Sequence, residues 1–301
     1  MRAARAITGR ERIACCGYHG WQDWFIGSTA RHAGVPAAVR ALTHPFVYND
    51  LESLRKVLIE HKGEFAAVIL EPVNFWPPAP GFLEGVKKLA HDHCALVIFD
   101  EICCGFHFGL GGAQKRFGVT PDLACFGKAM GNGFPISCVV GRADVMKVFE
   151  DIFFSFTFGG EVASMAAAMT VLDVLETTDA LARMDANGRV LQEGLNVLAK
   201  EAGLQNRIKC IGYPFWSLIK FLDADAKDSF LVRSLFTQEC VKRGVLLLAT
   251  HNMTAAHDPL AIEQTLRVYA EVCKTVAKWL SDANPDAHLE GEMIQPVFKV
   301  R

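Results

Sequence analysis

Residues 95–128, ALVIFDEICCGFHFGLGGAQKRFGVTPDLACFGK, contain two short apolar runs, 95–99 and 123–126, each followed within two positions by a charged side chain, Asp100 and Lys128. Apolar runs of this length, bounded by turn-forming residues, read as buried strands. A third run, AAVIL at 66–70, lies upstream. Between it and 95–99, Phe82, Val86, Leu89 and Ala90 follow the i, i+4, i+7, i+8 spacing of one helix face. Strand, helix and strand in that order make a β-α-β unit, because parallel strands need a long crossover. Further strand-length runs occur at 136–140, 217–221 and 245–249, and helical stretches at 161–175, 182–202, 230–243 and 259–281. The pattern predicts an α/β fold, a mostly parallel central sheet flanked by helices, with a smaller α+β C-terminal domain.

Composition agrees with a folded chain that acts on a small molecule. The 301 residues are 51% hydrophobic, enough for one large or two ordinary cores. With 31 basic against 33 acidic residues the net charge is −2, so no electrostatic excess points to nucleic acid or an anionic membrane. Ten cysteines, two adjacent pairs among them and none spaced as CxxC, read as reduced thiols and not as a disulfide framework or metal site. Residues 1–12 are Arg-rich and lack the apolar core of a secretory signal. No uncharged apolar run approaches the roughly 18 residues of a membrane span, and a cytoplasmic location is expected. The segment NFWPPAPG at 74–81, with three prolines, predicts a rigid loop at a strand's carboxyl end, where α/β proteins assemble ligand sites.

Asp100 and Lys128 are the candidate chemistry. If their strands are parallel neighbours, both side chains emerge at one sheet edge. A lysine against a hydrophobic wall has its ammonium form disfavoured, which frees the neutral amine for a Schiff base. A carboxylate can hold a pyridine nitrogen protonated. Together they are the two polar anchors that pyridoxal phosphate requires. The same residues also read as a solvated loop lysine and a helix-capping aspartate, and the pattern by itself leaves both open. The glycine motifs do not support nucleotide binding. Gly109 and Gly111 are followed by Gln114 where a dinucleotide fingerprint needs glycine, and Gly127-Lys128-Ala129 lacks the hydroxyl residue of a phosphate loop. Gly131-Asn132-Gly133 predicts a tight turn with positive φ after the lysine.

Five ordered segments, CCGYHGWQDW (15–24), AAVILEPV (66–73), ALVIFDEICCGFHFG (95–109), FGVTPDLACFGKAMGNGFPISCVVGR (117–142) and FTFGGE (156–161), resemble the class III, fold-type I aminotransferases that use pyridoxal 5'-phosphate, in particular glutamate-1-semialdehyde aminomutase and its relatives. LLLATHNMTAAHD (246–258) is similar to that family's small domain. The resemblance implies a partial cofactor-binding large domain over 1–178 and a small C-terminal domain over 179–301. Lys128 then matches the Schiff-base lysine that also shuttles a proton, and Asp100 the partner of the ring nitrogen. Tyr18 matches the aromatic residue stacked on one ring face, with His19 beside it in the same motif, and Ile102 packs the other face. Thr157 matches a hydroxyl that reaches the phosphate of a neighbouring subunit, which implies a homodimer with sites at its interface. Glu71 matches an acidic residue near the substrate, or one that pairs with a switching arginine.

The implied reaction moves an amino group from a small-molecule donor, an amine or amino acid, to a carbonyl acceptor, or within one molecule. One departure stands out. In the family a Ser-Gly-[Ser/Thr]-Glu-Ala loop precedes the helix that residues 1–9 resemble, and its amides cradle the cofactor phosphate. That loop is not in the 301 residues, which implies either part of a longer enzyme or a catalytically impaired, non-catalytic dimerising remnant.

Overall fold

Six strands form the first sheet: β1 (Arg12–Cys16), β2 (Thr43–Pro45), β3 (Phe65–Leu70), β4 (Leu96–Asp100), β5 (Leu123–Phe126) and β6 (Cys138–Gly141), in the spatial order β2-β1-β3-β4-β5-β6. This computed structural model describes residues 1–295. β1 to β5 pair in parallel, and only β6 runs antiparallel, at the edge beside β5. All six residues of β3 are buried. Burial of both faces is what a parallel strand covered by helices demands, and it explains the unbroken apolar run. The Phe82–Asp92 helix turns Phe82, Leu83, Val86, Leu89 and Ala90 inward, where they pack with Val68, Val97 and Phe99. Each such large side chain contributes about 1.5–3 kcal/mol when fully buried.

Register matters more to the site than strand order. Cys16 lies beside Leu70, Leu70 beside Phe99, and Asp100 beside Cys125. The carboxyl ends of β1, β3, β4 and β5 are therefore nearly flush, and whatever follows them in sequence emerges along one edge. The proline-rich segment after β3 is a loop, as expected. Asn49 ties it down, donating from Nδ2 to the Pro77 carbonyl (3.2 Å) and accepting at Oδ1 from the Ala79 amide (2.8 Å).

The described residues divide into two compact units, Met1–Thr177 and 178–295. The second holds a three-stranded antiparallel sheet, β7 (Ile208–Tyr213), β8 (Trp216–Phe221) and β9 (Thr250–Asn252), with helices Ala180–Glu201, Phe230–Lys242 and Pro259–Trp279. Leu195, Ile208, Phe236, Tyr269 and Val272 centre its core. The strand expected at 245–249 does not form. Leu247 and Ala249 are buried while Leu246 and Leu248 are exposed, an alternation that imitates a strand. Ala249 then takes a left-handed φ of +64°, and ladder pairing begins only at Thr250. The strand expected at 136–140 starts later, at Cys138, because its partner β5 ends at Phe126, opposite Cys138. β1, β2 and β7 were not anticipated. Among the described residues no helix is long and apolar enough to cross a membrane.

Gly188, inside the Ala180–Glu201 helix, permits a backbone approach that no other residue allows: a Cβ there would lie 2.0 Å from the Pro214 carbonyl oxygen. At Gly194 the same atom would meet only the flexible tip of Leu266, at 2.6 Å. Gly188→Ala is expected to cost about 1–3 kcal/mol through overpacking. Gly194→Ala should cost less, offset by the ~0.5–1 kcal/mol that alanine contributes in a helix. Urea unfolding of both variants checks this, and equal losses would contradict it.

Candidate active site

Four parallel strands deliver the candidate residues to one edge. Gly17, Tyr18 and His19 follow β1, Glu71 follows β3, Asp100 is the last residue of β4, and Lys128 stands two residues beyond β5. Asp100 is buried and doubly held: its Oδ2 pairs with His19 Nδ1 at 2.8 Å, and its Oδ1 accepts from the Ile102 amide at 3.2 Å. The second nitrogen of His19, Nε2, lies 3.1 Å from the Cys16 carbonyl. A carbonyl can only accept, so Nε2 is the donor in that bond. Trp24 stacks on the His19 ring at 5.8 Å and Phe25 meets its face edge-on at 5.2 Å, so the imidazole is fixed in orientation.

Tyr18 is 42% exposed, its ring perpendicular to that of Phe25 with 5.6 Å between centroids, so much of the ring is open. Its amide donates to Glu71 Oε2 at 3.1 Å. Gly17 makes that bond possible. It adopts φ +103°, and a Cβ would come within 2.6 Å of the Glu71 carboxylate. Among the described residues no arginine ion-pairs with Glu71, so the arginine partner implied by the resemblance is not seen.

Lys128 is exposed, contrary to the expected hydrophobic wall, because β5 ends before it and the chain turns outward at Gly127. Its own backbone is left-handed at φ +47°, uncommon for a side-chain-bearing residue and a conformation that the surrounding turn must impose. That turn is the anticipated one. Met130 donates to the Gly127 carbonyl at 3.0 Å, and Asn132 and Gly133 take φ +45° and +112°. Lys128 Nζ donates to Cys103 Sγ at 2.7 Å, a partner not foreseen from sequence. Ile102, half-buried, precedes that cysteine and lies near Gly127, where an added Cβ would touch its Cγ2 at 3.6 Å.

Thr157 stands apart from this group. It is exposed in the 151–161 loop, which also exposes Phe153, Phe154, Phe156 and Phe158. The helix that follows is capped by Glu161, which accepts from the Ala163 and Ser164 amides at 2.7 Å each, so Thr157 is not the cap. The structure thus gathers Tyr18, His19, Glu71, Asp100, Ile102 and Lys128 along one edge, and adds Cys103 and Trp24, which lie within the motifs without an expected role, and Phe25, one residue beyond them.

The class-III aminotransferase family model matches residues 15–280. The chain is 36% identical over 259 residues to 3-aminobutyryl-CoA aminotransferase of Cloacimonas acidaminovorans, covering 84% of this chain and 61% of that protein. It is 32% identical over 306 residues to glutamate-1-semialdehyde 2,1-aminomutase of Roseiflexus castenholzii, covering 92% and 70% respectively. It therefore spans about 60–70% of the length of these curated relatives. Among solved structures, FumI of Sphingopyxis sp. MTA144, in its pyridoxal phosphate internal aldimine form, superposes with a TM-score of 0.86 at 29% identity, covering 95% of this chain and 69% of that one. An omega-transaminase from Sphaerobacter thermophilus superposes at 0.81 and 26% identity, covering 92% and 71%. The mostly parallel sheet with its smaller companion is the fold of these enzymes.

Burial pushes the Glu71 carboxyl above its ordinary 4.5; the Tyr18 amide, His19 and Lys128 oppose the rise and Asp100 adds to it. A carboxyl whose folded pKa exceeds its unfolded one keeps its proton longer in the native state. Stability therefore falls as pH rises from about the unfolded value through the folded one. Glu71→Gln keeps an acceptor for Tyr18 and removes the ionisation. The variant should match the parent near pH 4 and become the more stable of the two by pH 7, as read from urea midpoints; a gap that closes with rising pH would contradict this.

Proposed function

Because the chain belongs to the class-III aminotransferase family, we propose that it binds pyridoxal 5'-phosphate through Lys128 and moves an amino group between an amine or amino acid and a carbonyl compound, between two molecules or within one. The observation that carries this reading is the placement of a reachable amine, Lys128, and a buried, oriented carboxylate, Asp100, beyond adjacent parallel strands. The residues fit the cofactor. A carboxylate offers about four lone-pair positions, and each Asp100 oxygen has one protein partner, so capacity remains for a ring N–H. Bound there, the cofactor supplies an aldehyde carbon for the incoming amine and a protonated ring that draws electrons from the substrate.

Asp100 keeps the proton on the ring nitrogen, and His19 keeps Asp100 aimed. Tyr18 offers its flat face to one side of the ring and excludes water there, while Ile102 packs against the other. Once displaced by substrate, the Lys128 amine takes the proton from the substrate carbon and returns it at the neighbouring position, a general acid–base role. Glu71, beside Tyr18, faces the substrate side. Thr157 serves the phosphate site of a second copy in a homodimer. That assembly is supported by the exposed apolar row Phe153, Phe154, Phe158, Val162 and Met169. Residues 1–178 act as the cofactor-binding domain and 179–301 as the small domain. Ten cysteines, none paired in a disulfide among the described residues, fit a cytoplasmic setting.

Mixing the protein with pyridoxal phosphate should raise the visible band of the lysine-linked cofactor, and amino donors should bleach it. Lys128→Ala should lose the band and slow amino transfer by at least about 10²-fold. Asp100→Asn should keep the band and lose turnover. No band in the unaltered protein would overturn the proposal.

A further inference from the structure

Cys103 has no part in the function proposed above, yet it touches the residue on which that function turns. It lies three residues past Asp100 in the turn after β4 and is half-buried, with Lys128 Nζ 2.7 Å from its Sγ. That separation lies within the range of an N–H···O bond although sulfur is the larger atom, so amine and sulfur are in direct contact. The left-handed Lys128 backbone and the Gly127–Met130 turn fix the point from which the side chain extends. Burial, with Glu71 and Asp100, holds the Cys103 thiol above its ordinary value, and the contact with Lys128 opposes that rise without reversing it. The other thiols lack this setting. Cys15, Cys16, Cys104, Cys210, Cys240 and Cys273 are buried, Cys94 is exposed in the turn before β4, and Cys125 and Cys138, half-buried on β5 and β6, make no lysine hydrogen bond among the described residues.

We infer that Cys103 and Lys128 form a reversible oxidative linkage, a sulfenamide, whenever a hydroperoxide reaches the edge while the lysine amine is free. In the first step the sulfur attacks the peroxide, the O–O bond breaks, and the sulfur loses two electrons as it becomes a sulfenic acid; the peroxide is reduced to water or an alcohol. In the second, the lone pair of the neutral Lys128 amine attacks that sulfur. An S–N bond forms, the S–O bond breaks, and the hydroxyl leaves as water with a proton from the amine. No further electrons move in that step. Two external thiols reverse it: the first cleaves the S–N bond and releases the amine, and the second frees Cys103, leaving an external disulfide. The linkage stands on the geometry of the pair; its consequence, that the oxidised protein cannot attach its cofactor, rests on the proposed function.

The test treats the full chain with hydrogen peroxide, with and without prior pyridoxal phosphate, followed by proteolysis and mass mapping. Expected are a peptide carrying Cys103 joined to one carrying Lys128, lighter by two hydrogens than their sum, loss of Lys128 acylation by an amine reagent, and recovery of both changes with dithiothreitol. Cys103→Ser should give no joined peptide and retain Lys128 acylation, and cofactor loaded beforehand should protect the pair. A Cys103 sulfinic acid, or a Cys103–Cys104 disulfide with Lys128 still acylated, would overturn the inference, as would an unreacted Cys103 while Cys94 oxidises. The joined peptide is scored without cofactor, so failure of the untreated protein to take up pyridoxal phosphate would overturn the proposed function alone.

Discussion

The flush parallel register of β1, β3, β4 and β5 is the constraint on which the site depends. Parallel pairing aligns all four strands in one direction, so the residue after each strand exits at the same edge. Asp100 opposite Cys125 sets the step between the two central chemical groups, because Lys128 then lies three residues further along. A shift of one residue in β4 would turn Asp100 to the other face and bring Phe99 or Glu101 to its place. Such a slip is prevented by burial: Val97 and Phe99 on one face and Ile98 on the other are fixed in separate cores. Packing energy thus guarantees the position of polar groups that themselves contribute little to stability.

Those polar groups place a burden on the fold. Asp100 and His19 are both nearly buried, and the ion-pair arrangement compensates their desolvation only because each has a further hydrogen bond, to the Ile102 amide and the Cys16 carbonyl. Glu71 is accommodated less well, with one backbone donor, a glycine that must stay a glycine, and a carboxyl that burial holds toward its neutral form. Lys128 is kept in a left-handed backbone conformation. Strain and burial gathered at one edge, beside a sheet that is otherwise regular, are where stability is given up for chemistry.

Much of this was legible in the sequence for physical reasons. β3, β4 and β5 are buried on both faces, so their residues are continuously apolar and the charged residue that ends each run marks the edge. The helix at 82–92 announced itself by period. β1 was hidden because RIACC opens on an arginine and its cysteines read only as thiols, although its end positions Tyr18 and His19. β7, IKCIGY, alternates buried and exposed residues and contains a glycine, and β9, THN, is three polar residues that pair only because β8 lies beside them. The exposure of Lys128 and its contact with Cys103 depend on a positive φ and on where a turn points after the strand ends. No periodicity records either.

Trapping the cofactor in place tests the central claim most directly. The protein is incubated with pyridoxal phosphate, reduced with borohydride and digested, and the position of the pyridoxyl group is mapped by mass. A single modified site at Lys128 is the result this account predicts. Label spread over exposed lysines such as Lys56 or Lys88, with Lys128 unmodified, would contradict it.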